Sequence, residues 1–491
     1  MRKALKYIGG GVTGAALVSI FISSTALAEG EEAMEAVTTL AQATNMLWVI
    51  IGAILVIFMQ AGFALVETGF TQKKNAAHVM TSNFAIFGLG FVGFLFVGFP
   101  LAFGGFSTEG YFGAGGAAMD PNPLIGSGDW AFLWQGWDHL SNGATPAMLA
   151  FFLYMVAFMD TVATIPTGSM AERWKWKSFV IWGLFCGAIY YPLFASWTWG
   201  GGWLAAIGRS MNLGNGYVDF AGSGVVHAVG GAAALAGAIV LGPRIGKYGP
   251  DGKPKTIAAH SIPLAITGCF ILLFGWFGFN AASTFSAQDI QFATVATNTA
   301  FAAAVGAVVA MFWITFRSGK PDPGMQVNGM LAGLVAITAP CAFVAPWAAA
   351  VIGGVAAVIV IEAAMFIEKK GIDDPVGAIA VHGVGGTFGV LALGIFANGK
   401  YGAGWNVTAE GGTLLTADNT AKKVEGVING EFGQLGAQAV GVVVIWTVIF
   451  GIAFAFFKIQ NKLTKGGIRV SEQEEIDGVD IAEMGVQAYA D

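Results

Sequence analysis

The sequence predicts an all-α protein whose chain crosses a membrane many times. Three observations carry this. Hydrophobic residues fill 55% of the 491 positions and charged ones only 11%, against roughly 25% charged in soluble domains. Apolar stretches close to the ~20 residues needed to cross ~30 Å of hydrocarbon recur along the whole length. Glycine occurs 72 times, well above its ordinary ~7%, which suits helices that approach closely in lipid. Cys186, Cys269 and Cys341 lie apart in separate apolar stretches, a pattern of neither a disulfide framework nor a metal site.

Taken in order, the chain opens with Arg2, Lys3 and Lys6, an apolar run from Ile8 to Ile22, and a small-x-small pattern at Ala26, Leu27 and Ala28. This reads as a signal peptide over residues 1–28, with an uncleaved first helix as the alternative. Eleven apolar spans follow within residues 29–458, at about 45–66, 83–104, 146–168, 178–199, 221–242, 261–281, 293–316, 325–344, 347–367, 376–397 and 435–458. The remaining segment, 459–491, reads as a tail. With the mature N-terminus outside, 17 of the 24 Lys and Arg residues fall on the inner loops and tail and 4 on the outer loops. That asymmetry orients the tail to the cytoplasm of a bacterial cell. The outer loops, about 105–145 and 398–434, are rich in Gly, Asn, Asp and Trp; no chemistry is assigned to them.

One pattern occurs twice. Asp219 opens an apolar, Gly-rich segment with His227 eight residues on, and Asp374 does the same with His382. Eight residues at 1.5 Å rise carry each His ~12 Å along its helix, near the bilayer centre. The two copies lie five spans apart and run in opposite directions. They therefore predict an inverted 5+5 repeat, with an eleventh helix added, and a substrate path at the repeat interface. Two imidazoles meeting at the midplane could pass a proton; a pair of His without further ligands is a weak metal site. Asp374 before Pro375 suits an N-cap, while Asp219 combines a cap with a charge that favours an entering cation. Trp197, Trp199 and Trp203 around Gly200, Gly201 and Gly202 close the fourth span on the outer side. Trp276, Phe279 and Ser283 close the sixth. Aromatic faces attract small cations, so these clusters suit a cation vestibule, with a membrane-interface belt as the plainer explanation.

These motifs (DFAGSGVVH, VHGVGGTFG, TWGGG, GWFGFNAAS, QAGFALVETG with KKN behind it, and MAERWKW) resemble the ammonium transporter (Amt/Rh-type) family from about residue 45 to the tail. The resemblance implies a homotrimer of eleven-helix protomers, each with its own pore. It implies ammonium or methylammonium recruitment at Trp199 and Ser283 with Phe158, Tyr154 one turn outward, and Asp219 supporting the site. Phe158 and Phe279 become a gate, Trp276 a pore-lining ring, and His227 with His382 the twin-His pair. The tail resembles the segment that couples protomers and faces P-II-type nitrogen regulators. Two departures stand out: Gly377 and Ala378 occupy a stretch where many members carry an acidic residue, and the outer loop before the third span is long.

The expected activity is net ammonium uptake. The ion is held outside, deprotonated, and passed as ammonia beyond the Phe pair while the His pair carries the proton. K+, with no proton to give up, is excluded. Electroneutral ammonia conduction and an ammonium sensor acting through its tail are the alternatives. No nucleophile–base set, Walker loop or carboxylate cluster in the apolar spans suggests an enzyme, and no cofactor, metal or nucleic-acid partner is expected.

Overall fold

The computed structural model describes residues 5–103, 146–407 and 422–489, with side chains described from residue 33 onward. The outer loop expected to be long before the third span, about 105–145, lies outside the described residues. Among those described, the protein is all-helical, and ten helices are long and apolar enough to cross a membrane. In chain order they are α1 (Leu5–Phe70, its apolar part Ala33–Phe70), α2 (Lys73–Phe103), α3 (Pro146–Met170), α4 (Trp176–Trp197), α5 (Ser223–Leu241), α6 (Ile262–Thr284) and α7 (Gln291–Ser318). A shorter apolar helix, α8 (Pro323–Ile337), comes next. It is followed by the three remaining long ones, α9 (Pro346–Lys369), α10 (Ile379–Phe396) and α11 (Phe432–Leu463).

The stretch predicted to continue helically to residue 344 stops at Ile337. Pro340 has no N–H to donate and disfavours helical backbone in the residue before it. The irregular backbone beyond Ile337 is satisfied by the entry to α5: Phe220 N–H donates to Ala339 O at 3.2 Å and Ala221 N–H to Thr338 O at 3.1 Å. Ser223 Oγ in turn accepts from Ala339 N–H at 2.6 Å. Non-helical backbone at depth is tolerated only with such partners.

Small residues set the central crossing. A Cβ on Gly231 of α5 would sit 2.2 Å from the backbone of Gly383 in α10, and one on Gly386 would sit 2.8 Å from Ala228 N. A Cβ on Gly389 would lie 2.7 Å from Ser223 Oγ. Contacts that advance along one helix as they retreat along the other mean α5 and α10 are antiparallel. Without hydrophobic driving force in lipid, this backbone-to-backbone approach is a main source of packing energy.

At the end of the bundle where the chain's last residues pack, charge closes the structure. Arg244 pairs with Glu172 and Asp373, and Arg173 donates to Asp373 O at 3.0 Å. The tail lies across this surface: Arg469 pairs with Glu475 at 2.8 Å, and Lys74 donates to the carbonyls of Glu475 and Ile476 at 2.8 and 2.6 Å. Asp480 accepts from the N–H groups of Ala77 and His78 at 3.0 and 2.8 Å, and Glu483 from Trp176 N–H at 2.8 Å. Both carboxylates thus sit at helix N-termini, where the helix dipole favours negative charge.

Candidate functional site

Both His-bearing helices begin the same way. The Asp219 carboxylate accepts from four consecutive N–H groups, those of Gly222, Ser223, Gly224 and Val225, at 2.8–3.0 Å. Asp374 accepts from Ala378 and Ile379 at 3.0 and 2.7 Å. Gly222, at φ 117°, makes the left-handed turn that lets the Asp219 loop fold back over the helix end. Every one of these donors would otherwise be an orphan of the helix start. The first turns are then wider than α-helical: His227 N–H reaches back five residues to Gly222 O at 3.0 Å. His227 and His382 both fall inside such widened turns, Ser223–Ala228 and Ile379–Val384.

The crossing at Gly231 and Gly383 brings the two imidazoles together. His227 Nδ1 and His382 Nδ1 are 3.1 Å apart, so one must donate and the other accept. His227 is fully buried and His382 is 5% exposed. Above His227 lie Trp276 and Phe279, stacked at centroid distances of 5.1 and 5.4 Å. Trp276 is fixed by a 2.8 Å bond from Nε1 to Thr338 Oγ1, in the irregular segment after α8. Phe279 stacks on Phe158 at 4.1 Å, with the planes 22° apart. No gap for water fits between rings at that spacing.

Outside this pair lies a small cavity of about 40 Å³ that includes Phe158, Trp199, Asp219, Tyr154 and Ser283 in its wall. Trp199 meets Phe158 edge-on at 5.8 Å, and its Nε1 donates to Asp219 O at 2.7 Å. The indole is thereby held in place. Ser283 Oγ donates to Phe279 O at 2.7 Å and lies 3.0 Å from Tyr154 OH. Tyr154 OH also donates to Gly278 O at 2.9 Å. Asp219 faces the cavity too, but all its strong hydrogen bonds are to the helix start, and it is 2% exposed.

The outer loop to which sequence reading assigned no chemistry supplies part of this wall. Trp405 and Asn406 both line it. Asn406 takes a left-handed backbone at φ 57°, and its Nδ2 donates to Asn215 O and Tyr217 O at 2.9 Å. Only a composition rich in Trp and Asn hinted at this, because the contacts join residues 189 and 191 apart.

On the other side of the imidazole pair, His382 lines a second small cavity with Phe63, Glu67, Leu331, Asn328 and Val381. Asn328 and Val376 also border a wider polar basin of about 380 Å³, with Arg244 and Asp374 on its wall. In sequence along the molecule, then, stand an aromatic cavity, a ring pair, two touching imidazoles, a mostly apolar chamber that holds Glu67 and Asn328, and an open basin.

The sequence profile of the Ammonium Transporter Family matches residues 47–489. This chain belongs to the ammonium transporter family. It is 43% identical over 447 residues to ammonium transporter Amt2 of Archaeoglobus fulgidus, covering 91% of this chain and 88% of that one. It is 34% identical to ammonium transporter Amt1 of Haloferax mediterranei, covering 91% and 80% of the two chains. Among solved structures, a protein named Sensor Amt Protein superposes with a TM-score of 0.75 at 37% identity, over 91% of this chain and 99% of that one. Mep2 of Candida albicans superposes with a TM-score of 0.70 at 27% identity, over 88% and 87%. As an ammonium transporter family member the chain is a multi-pass membrane protein whose relatives are transporters, not enzymes.

Proposed function

We propose that this ammonium transporter family member takes up ammonium by separating it into ammonia and a proton, and that the contact between His227 and His382 behind the stacked Phe158 and Phe279 is the observation that carries the reading. Ammonium enters the outer cavity, where the faces of Trp199 and Phe158 attract it and Ser283, held by Tyr154, accepts a hydrogen bond from it. Asp219 fixes Trp199 and the α5 entry and makes the surroundings negative. A bare ion is costly at the apolar centre, so the ion releases its proton to the imidazole pair and neutral ammonia slips past the rings, with Trp276 shaping its way. The proton moves from His227 to His382 and rejoins ammonia in the inner basin. K+ has no such route.

The wider architecture belongs to the same proposal. Counting α8, eleven helices form an inverted 5+5 repeat plus one, supported by the antiparallel α5 and α10 with their matching Asp-to-His spacing. Residues 1–28 act as a signal peptide, 29–458 as the transport domain of a homotrimer, and 459–491 as a cytoplasmic regulatory tail at a bacterial inner membrane. The tail and inner loops offer the face for a P-II-type regulator. A second reading, an ammonium sensor, is favoured by the 37% identity to the solved Sensor Amt Protein.

Solid-supported-membrane electrophysiology on proteoliposomes tests the choice. Uptake with charge predicts a saturable current on ammonium or methylammonium addition and none on K+. Ammonia flux without current selects electroneutral conduction, and binding without flux selects the sensor.

A further inference from the structure

The proton that leaves His382 needs an acceptor on the inner side, and the cavity that His382 faces contains one ionisable carboxyl group, Glu67 of α1. We infer that Glu67 is the inner proton acceptor of the relay, taking the proton from His382 through a single water; this rests on the proton-coupled reading above.

Three features of the chamber support it. Glu67 is 3% exposed, yet among the described residues it makes no ion pair; its hydrogen-bond partners are neutral. Asn83 Nδ2 donates to one carboxylate oxygen at 2.7 Å, and Thr167 Oγ1 lies 2.8 and 2.9 Å from the two. A carboxylate tied to a Lys or Arg would be held ionised, whereas this one is free to exist in either state. The Thr167 hydroxyl also lies close to the Thr164 carbonyl. Its hydrogen can therefore point at an ionised Glu67 or turn to Thr164 O when Glu67 holds the proton, so both states are satisfied without moving a heavy atom. The cavity is about 20 Å³, enough for about one water. The buried Oδ1 of Asn328 on its wall has no partner among the described residues, an acceptor suited to hold that water.

The step balances. Protonated His382 gives a proton to the water, the water passes one to Glu67, and the carboxylate becomes a carboxylic acid while His382 returns to neutral. Glu67 then releases the proton toward the basin that Asn328 also borders, where ammonia becomes ammonium.

Structural and relay roles predict opposite orders for two substitutions. Glu67→Gln keeps the length and an oxygen for Thr167 but cannot take up the proton; Glu67→Asp keeps the acid but shortens its reach. Ammonium-evoked current in proteoliposomes should fall below a tenth of wild type in E67Q and return to a third or more in E67D. Asn328→Leu, which leaves Glu67 untouched and dries the chamber, should lower the current at least fivefold, and it serves if E67Q does not fold. Full current in E67Q or in N328L, with a His227/His382 variant silent, overturns the role of Glu67 and leaves the His relay standing. A His227/His382 variant that still conducts charge overturns both.

Discussion

His227 and His382 touch through like atoms: Nδ1 of one lies 3.1 Å from Nδ1 of the other, although 155 residues separate them. The contact forces opposite tautomers on the pair. In the proposed relay, one proton entering His227 leaves from His382 after the shared hydrogen shifts across. Trp276 and Phe279 stack on the His227 ring at 5.1 and 5.4 Å and hold it against its partner.

Trp199 is fixed by its bond to Asp219 O, so its substitution should remove binding without unlocking the gate. Cation–π attraction contributes ~0.5–2 kcal/mol at a partly desolvated site. Trp199→Leu should raise the ammonium concentration for half-maximal current roughly 3- to 30-fold, with a smaller effect on the maximum. A titration of current against ammonium concentration checks this.

Phe158 separates the outer cavity from the imidazoles by its 4.1 Å stack on Phe279. Replacing it with Ala opens a void that water can enter, and a hydrated passage no longer demands deprotonation. Phe158→Ala should gain a measurable K+ current that wild type lacks. The cavity should also lower stability by ~3–5 kcal/mol, seen as earlier thermal unfolding in detergent.

Much of this site was legible in the chain. The Asp-to-His spacing, repeated in two spans of opposite direction, was enough to bring His227 and His382 together. Glycines at Gly231 and Gly383 could be read as close packing. The widened first turns were not legible, because nothing in an apolar run distinguishes five-residue from four-residue hydrogen bonding. Trp405, Asn406 and Glu67 escaped for another reason. Each reaches its site by a tertiary contact far along the chain, with no local periodicity to mark it. The end of α8 at Ile337 was foreshadowed by Pro340, but hydropathy alone ran the span through it.

The inner charge cluster makes a pH prediction. Burial alone would raise the Asp373 carboxyl, but hydrogen bonds from Arg244 and the charges of Arg173 and Arg244 outweigh it and hold the group at about 2, below its ordinary 3.8. A group depressed in the folded state stabilises fully above its unfolded value and loses that contribution as pH falls through the folded one. Asp373 should therefore contribute ~2 kcal/mol above pH 4, lost between about pH 4 and 2. Asp373→Asn should be less stable than wild type at pH 7, with the difference closing near pH 2; thermal unfolding across that range measures it.

The most direct test concerns the imidazole pair itself. His227 and His382 replaced together by Leu leave a dry, apolar passage of similar size. Solid-supported-membrane recordings from proteoliposomes should then show the ammonium-evoked current of wild type and none from the double variant. An undiminished, saturable current from H227L/H382L would contradict proton transfer through the pair.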